Sequence, residues 1–238
     1  MKFLKGIIFC ALLCGFISCN KHHNEAPPDM GYDYYPAKLG RYVVYDVDSI
    51  SYRQPQNDTV TFRFQIKEKF EDIFKDNEGR TTYKLIRYKK MFDSLVPYSQ
   101  MGWTLQDVWM VNVNKTDAEV VEENLRYTKL PFPVKNDSKW NGTAHIDTTE
   151  TMYTCTEFDV NSSYNGLSFT KTLTVDQINV STQIDYHNHN ERYAREVGLI
   201  YKEITDYTYF QDASGNVHTG VISEGIHYVM TINSFGVE

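Results

Sequence analysis

The chain has 238 residues, with 31 Asp or Glu against 24 Lys or Arg, so its formal net charge is −7 at pH 7. This acidic balance argues against binding to nucleic acid, because phosphate backbones are bound by clustered Lys and Arg. Aromatic residues make up 14% of the chain, and with the many Thr and Val beside them they favour pleated, half-buried β-sheet surfaces.

Residues 1–18 have the three zones of a secretory signal peptide. Lys2 and Lys5 form a basic start, Gly6–Ile17 is an uncharged and mostly apolar run, and small Ser18 precedes the cut site. The apolar run is shorter than the roughly 20 residues that a helix needs to cross a membrane. A cleaved signal is therefore favoured over a permanent transmembrane helix.

The segment Phe16-Ile17-Ser18-Cys19 resembles the lipobox of bacterial lipoproteins, although Leu usually stands where Phe16 is. The resemblance implies diacylglycerol on the Cys19 thiol, cleavage after Ser18, and acylation (for example with palmitate) of the new amine. Several acyl chains are needed for stable anchoring, because each buried CH₂ contributes about 0.8 kcal/mol and one chain binds only marginally. The alternative is an ordinary secreted protein cut near the same place.

Cysteine usage is consistent with export and lipidation. Cys10 and Cys14 leave with the signal and Cys19 is acylated, so Cys155 remains as a single thiol that cannot form an internal disulfide. Cys155 stands in a strand-like run, and we expect a small buried apolar residue there rather than a nucleophile.

Residues 19–33 are predicted to be a flexible tether between the lipid and the folded domain. Asn20–Gly31 has almost nothing to bury, and such termini stay disordered. Folding is expected to begin near Tyr34, which gives a β-rich domain over residues 34–238.

Two short segments suggest an internal duplication. Tyr35–Tyr42 and Phe132–Trp140 each begin with aromatic-Pro-x-Lys and lead through a polar turn to an aromatic residue at a strand start. The corresponding halves would be residues 34–128 and 129–238. Chance is the alternative explanation, because Pro before an edge strand is common.

Period-two alternation dominates the chain from Arg41 onward and predicts antiparallel strands. Arg41–Arg53 alternates in this way, and in Asp58–Phe70 the residues Val60, Phe62, Phe64 and Ile66 share one face. The turn Asp76–Gly79 predicts a hairpin between that strand and Thr81–Met91. The other predicted strands are Trp103–Val113, Lys139–Ile146, Thr149–Val160, Leu167–Val175, Val180–Tyr186, Gly198–Phe210 and Gly220–Ser234.

These strands predict an all-β fold, either a sandwich or a curved, barrel-like or half-barrel antiparallel sheet. Minor helical content is expected at most, with Phe92–Gln106 and Ala118–Leu130 as the two segments that could each hold a short helix.

Five short segments are spread over most of the mature chain: Tyr34-Tyr35-Pro36, Gly40–Ser49, Lys129–Pro133, Trp140-Asn141-Gly142 and Glu191–Glu203. Together they resemble a broad group of uncharacterised cell-envelope lipoproteins from Bacteroidota-type Gram-negative bacteria. The resemblance implies a curved antiparallel sheet akin to half-barrel lipoprotein carriers, and it implies no specific activity.

The same bacterial group uses an O-glycosylation signal of Asp, then Ser or Thr, then an apolar residue or Thr. Four positions fit this pattern, and the modified residues would be Ser49, Thr59, Ser94 and Thr148. Thr59 is expected to be the most exposed of them, because a polar stretch precedes it.

One constellation could hold a metal ion. On a strand, Asp185, His187, His189 and Glu191 would point to the same side, and two imidazoles flanked by carboxylates could bind Zn²⁺ or another divalent cation. The alternative is a polar, Asn-rich hairpin loop. Structural zinc sites normally close with four ligands and only two histidines are local, so the loop is favoured and no cofactor is predicted.

Aromatic platforms are a second candidate for function. Tyr and Trp rings can bind sugar rings or other apolar faces, although sheet packing uses the same residues heavily. The candidate ligand-binding residues are Trp103, Trp109, Trp140, Tyr186 and Tyr193.

Enzyme signatures such as Gly-x-Ser-x-Gly, His-Glu-x-x-His and Cys-x-x-Cys are absent from the sequence. We therefore expect a non-enzymatic lipoprotein, anchored in the outer membrane, that binds or scaffolds a glycan, a lipid or an envelope protein. A glycan- or hydrophobic-ligand-binding module and a carboxylate-based hydrolase are the alternatives. The periplasmic face is favoured, because Lys21 near the lipid matches poorly with acidic surface-export signals.

Overall fold

The computed structural model describes residues 27–53, 58–146 and 150–238. The signal peptide, Cys19 and Thr148 lie outside the described residues. Strands account for most of the described chain: β1 (Arg41–Arg53), β2 (Asp58–Lys75), β3 (Thr81–Met91), β4 (Thr104–Val113), β5 (Asp117–Glu122), β6 (Leu125–Pro131), β7 (Lys139–Asn141), β8 (Met152–Tyr164), β9 (Leu167–Ser181), β10 (Asp185–Ala194), β11 (Gly198–Gln211) and β12 (Val217–Val237).

All twelve strands belong to one sheet in the order β6-β5-β4-β3-β2-β1-β12-β11-β10-β9-β8-β7. The strands from β1 to β6 form one up-and-down meander and those from β7 to β12 form another, and the antiparallel pair of β1 and β12 joins them. The predicted boundary at Lys129 falls inside β6. Along the chain, the first meander ends at Pro131 and the second begins at Lys139. A duplication of the two halves stays a prediction.

The sheet curves until its two edge strands meet, which gives a nearly closed barrel. At this seam, the Thr128 amide donates to the Gly142 carbonyl at 3.0 Å. The Trp140 indole N–H donates to the Thr128 carbonyl at 2.9 Å. The prediction of an antiparallel all-β fold is confirmed, and of its alternatives the barrel-like sheet is the observed one.

The helices expected from the sequence are nearly absent from the described residues. Phe92–Gln106 contains only a single 3₁₀ turn, Tyr98–Gln100. Ala118–Leu130, the second candidate, forms the β5–β6 hairpin instead, turning at Glu123 and Asn124 with positive φ at both. Such two-residue turns match the twist of a hairpin, but they usually carry Asn-Gly or Asp-Gly, so the sequence signal was weak.

One end of the barrel is packed with side chains and covered by the N-terminal segment. Tyr34, Leu130, Leu173 and Cys155 are fully buried there. Burial raises the pKa of the Cys155 thiol to about 12, which keeps it protonated and confirms the prediction of a buried apolar residue.

The described fold begins earlier than Tyr34. Arg195, near the end of β10, binds Asp29 at 2.8 Å and Asp33 at 2.7 Å, and Tyr32–Tyr34 forms a 3₁₀ turn. The last residues of the predicted tether, 29–33, are therefore part of the folded domain. No helix among the described residues is long and apolar enough to cross a membrane.

Gly142 is the position where the seam tolerates no side chain. A Cβ there would lie 2.2 Å from the Tyr153 ring, which is itself buried against Trp140. We expect Gly142→Ala to lower the free energy of unfolding by about 1–3 kcal/mol in urea titrations, because the buried ring must move. In the control Gly102→Ala, the new methyl group meets nothing within 4 Å, and a change of no more than about 0.5 kcal/mol is expected. Equal effects of the two variants would contradict the geometry of the seam.

Candidate functional site

The barrel encloses a cavity of about 380 Å³, a volume within the usual range for small-molecule sites. Both meanders contribute to its walls, which mix aromatic rings with aliphatic side chains. The apolar lining includes Tyr35, Val43, Tyr45, Phe70, Leu85, Trp109, Val120, Tyr193, Leu199, Ile204, Ile226, Tyr228 and Met230. The barrel interior is therefore only partly filled by its own side chains.

A buried ion pair between Glu191 on β10 and Lys129 on β6 links these two strands across the interior. Glu191 is 1% exposed, and one of its oxygens accepts a hydrogen bond from the Lys129 ammonium at 3.1 Å and forms an ion pair with Lys202, also at 3.1 Å. The Tyr193 hydroxyl donates to the other oxygen at 2.6 Å. Burial by itself raises the pKa of Glu191, but the two ammonium groups and the tyrosine outweigh it and hold that pKa well below its usual range.

A second ionic group lies on β2, β3 and β4. The Arg87 guanidinium donates to Glu68 at 3.0 Å and to Asp107 at 3.2 Å, and it lies 4.0 Å from the centre of the Trp109 ring. Burial raises the pKa of Glu68 despite the adjacent Arg87. Most charged side chains inside the barrel thus form ion pairs with one another, because a buried charge is stable only when it is paired.

Three buried nitrogens, on two residues that line the cavity, have no hydrogen-bond partner among the described residues. Nε and Nη2 of Arg41 are buried and unbonded, and so is the indole N–H of Trp109. Burial lowers the pKa of Arg41, and Glu196 partly offsets this. Sequence reasoning missed Arg41, although the available signal was its position on the same face of β1 as Val43 and Tyr45.

The residues predicted to bind metal do not converge. His187 and His189 both contact one oxygen of Asp206, at 2.7 and 2.9 Å, whereas Asp185 accepts from Thr208. Glu191 is held by the two lysines. No group of three or more side chains suited to a metal ion occurs within the described ranges.

The loop alternative for the same residues is wrong as well. Asp185–Ala194 is strand β10, and the chain turns earlier, where the Thr182 hydroxyl accepts from the Ile184 and Asp185 amides. The partner that the sequence could not reveal is Asp206, because it comes from the neighbouring strand and meets His187 only through the β10–β11 register.

The predicted aromatic residues are dispersed. Trp109 and Tyr193 line the cavity. Trp140 is buried at the seam, Trp103 lies beneath the Lys90 ammonium at 4.2 Å, and Tyr186 packs against Tyr207 with ring centres 6.2 Å apart. The structure therefore brings two of the five to one site.

The predicted O-glycosylation residues differ in exposure. Thr59 at the start of β2 and Ser94 between β3 and β4 are exposed. Ser49 is buried within β1, which argues against its modification in the folded chain, and Thr148 lies outside the described residues.

No protein-family model matches the chain, and no curated protein matches it in sequence. A structural comparison finds a domain from Vibrio parahaemolyticus that is described as an outer membrane lipoprotein-sorting protein, with 10% identity over 83% of this chain and 85% of that one. Its TM-score is 0.20, so the likeness carries no argument about fold or function.

Glu191→Gln tests the buried network. Because the folded-state pKa of Glu191 lies below the unfolded value of about 4.3, its carboxylate stabilises the fold above that pH, and this contribution is lost as the pH falls. We expect the variant to be less stable by about 3 kcal/mol at pH 7, with a smaller deficit at pH 3, in urea titrations at both pH values. The exposed Glu224→Gln serves as the control and should unfold like the parent chain. A deficit of the same size at both pH values would contradict this assignment.

Proposed function

We propose that this protein binds an amphiphilic small molecule inside its barrel. The observation that carries the proposal is the cavity of about 380 Å³, in which aliphatic and aromatic walls surround buried donors that lack partners. A pocket of mostly apolar walls with a few fixed polar groups is typical of small-molecule sites. Aliphatic side chains such as Leu85, Ile204 and Met230 among the rings favour a hydrophobic ligand over a glycan.

The arrangement of charges supports binding rather than hydrolysis. Glu122 and Glu191 both contact Lys129, at 2.7 and 3.1 Å, and the pKa of each carboxyl is lowered. A general acid has to hold a proton near neutral pH, which a lowered carboxyl pKa disfavours. The third carboxyl of the cavity, Glu68, has a raised pKa, but it accepts from the Arg87 guanidinium at 3.0 Å, which favours its charged form. We therefore propose a non-enzymatic role for the cavity.

The proposed setting is the bacterial outer membrane. The lipobox-like segment ending at Cys19 supports a lipid anchor, and the folded domain begins only a short distance further along, at Asp29. The periplasmic face remains the favoured location. A membrane-tethered domain with an apolar cavity would act as a local binding protein for amphiphiles of the envelope.

Uptake of the neutral fluorophore N-phenyl-1-naphthylamine tests this function. The mature chain, residues 19–238 with Cys19→Ser, carries neither acyl groups nor the apolar signal peptide and so needs no detergent. We expect saturable fluorescence enhancement, and a loss of affinity of about tenfold or more when Ile226→Trp fills part of the cavity.

Val229→Trp is the matched control, because Val229 lies on the same strand and the register turns it away from Ile226 and Tyr228, which line the cavity. It should bind the fluorophore like the parent chain. Absence of enhancement, or unchanged affinity in Ile226→Trp, would refute the proposal.

A further inference from the structure

Arg41 differs from the other basic side chains of the cavity in having no acidic partner. Among the described residues, four basic side chains line the cavity, and three of them (Arg87, Lys129 and Lys202) contact carboxylates at 3.3 Å or less. Arg41 takes part in no ion pair that the described residues show, and two of its nitrogens are buried without a partner. No carboxylate of the described residues therefore forms an ion pair with this one positive charge at the cavity.

We propose, building on the proposed function, that Arg41 binds the anionic end of the ligand and that the ligand is an acidic amphiphile of the fatty-acid type. The unpaired atoms are Nε and Nη2, which lie along one edge of the guanidinium plane. That edge presents two parallel N–H groups, the arrangement that binds both oxygens of a carboxylate or phosphate.

The position of Arg41 fits an anchor for a long apolar molecule. It shares the inward face of β1 with Val43 and Tyr45, and all three line the cavity. The walls beyond it are formed by Met230, Tyr228 and similar apolar side chains. A ligand whose charged end meets Arg41 can thus place its chain against these side chains.

The Trp109 indole offers a second donor at the same level of the sheet. The Gly40 amide donates to the Phe70 carbonyl at 2.8 Å, Phe70 pairs with Leu85, and Leu85 pairs with Trp109. Three strand spacings, about 14 Å along the sheet, separate Arg41 from Trp109 before curvature is counted. The indole N–H therefore suits a second polar group of the ligand rather than the same anion.

Burial makes the missing partner costly. Arg41 as a whole is only partly buried, but its Nε and Nη2 are withdrawn from water without a partner, and an anionic ligand would offset that cost while a neutral or cationic one would not. Glu196 favours the charged form of Arg41 electrostatically, but the described residues show no ion pair between the two side chains. Head-group charge should accordingly decide affinity.

Displacement of N-phenyl-1-naphthylamine from the Cys19→Ser chain by matched twelve-carbon compounds tests this inference at pH 8. Laurate should displace the probe at a concentration about tenfold lower than dodecanol does, and dodecylammonium should be the weakest. Dodecyl phosphate should resemble laurate, whereas acetate and inorganic phosphate, which lack the chain, should leave the probe in place.

Arg41→Gln should erase the advantage of laurate and leave the affinity for dodecanol unchanged. Arg63→Gln is the control, since Arg63 pairs with Asp48 in an exposed contact. Equal binding of laurate and dodecanol by the parent chain would overturn the inference and leave the proposed function standing. Failure of every compound, together with no uptake of the probe, would instead refute the proposed function. If Arg41→Gln fails to fold, the comparison of laurate with dodecanol on the parent chain still tests whether the site prefers an anionic head group.

Discussion

The bond between Lys129 and Glu191 is the interaction on which the site depends. It connects β6, at one edge of the sheet, with β10 near the other edge, and so it spans the seam from the inside. The same carboxylate also forms an ion pair with Lys202 and accepts a hydrogen bond from the Tyr193 hydroxyl. A charge of this kind is tolerable inside a protein only when fully partnered, which fixes the positions of all four side chains and keeps the two walls of the cavity in register.

The other charged side chains of the interior are also paired, and two residues, Arg41 and Trp109, depart from this rule. Arg87 is satisfied by Glu68 and Asp107, whereas the buried nitrogens of Arg41 and the indole N–H of Trp109 find no partner in the described chain. Native proteins rarely bury unpaired donors, and each one that persists needs a physical explanation, such as a bound water, ion or ligand. The ion pairs thus hold the walls of the cavity in place, and the unpaired donors of Arg41 and Trp109 favour a ligand that carries hydrogen-bond acceptors.

Sequence patterns predicted the strands well because alternation is a local property. The β2–β3 hairpin and its turn at Asp76–Gly79 followed from adjacent residues alone. The site could not be predicted in this way, since Glu191 and Lys129 lie far apart in the chain and meet only when the sheet closes. His187 illustrates the same limit, because its partner Asp206 belongs to the next strand. The inward position of Arg41 could have been inferred from the sequence, and Trp109 and Tyr193, two of the five aromatic residues singled out from it, do line the cavity.

A high-resolution structure of the laurate complex would show whether Arg41 holds the head group of the ligand. We expect the acyl chain to occupy the barrel and both carboxylate oxygens to lie about 3 Å from Nε and Nη2 of Arg41. The Lys129–Glu191 bond should remain intact in that complex. Laurate bound on the outer surface, or inside with its carboxylate remote from Arg41, would contradict this expectation.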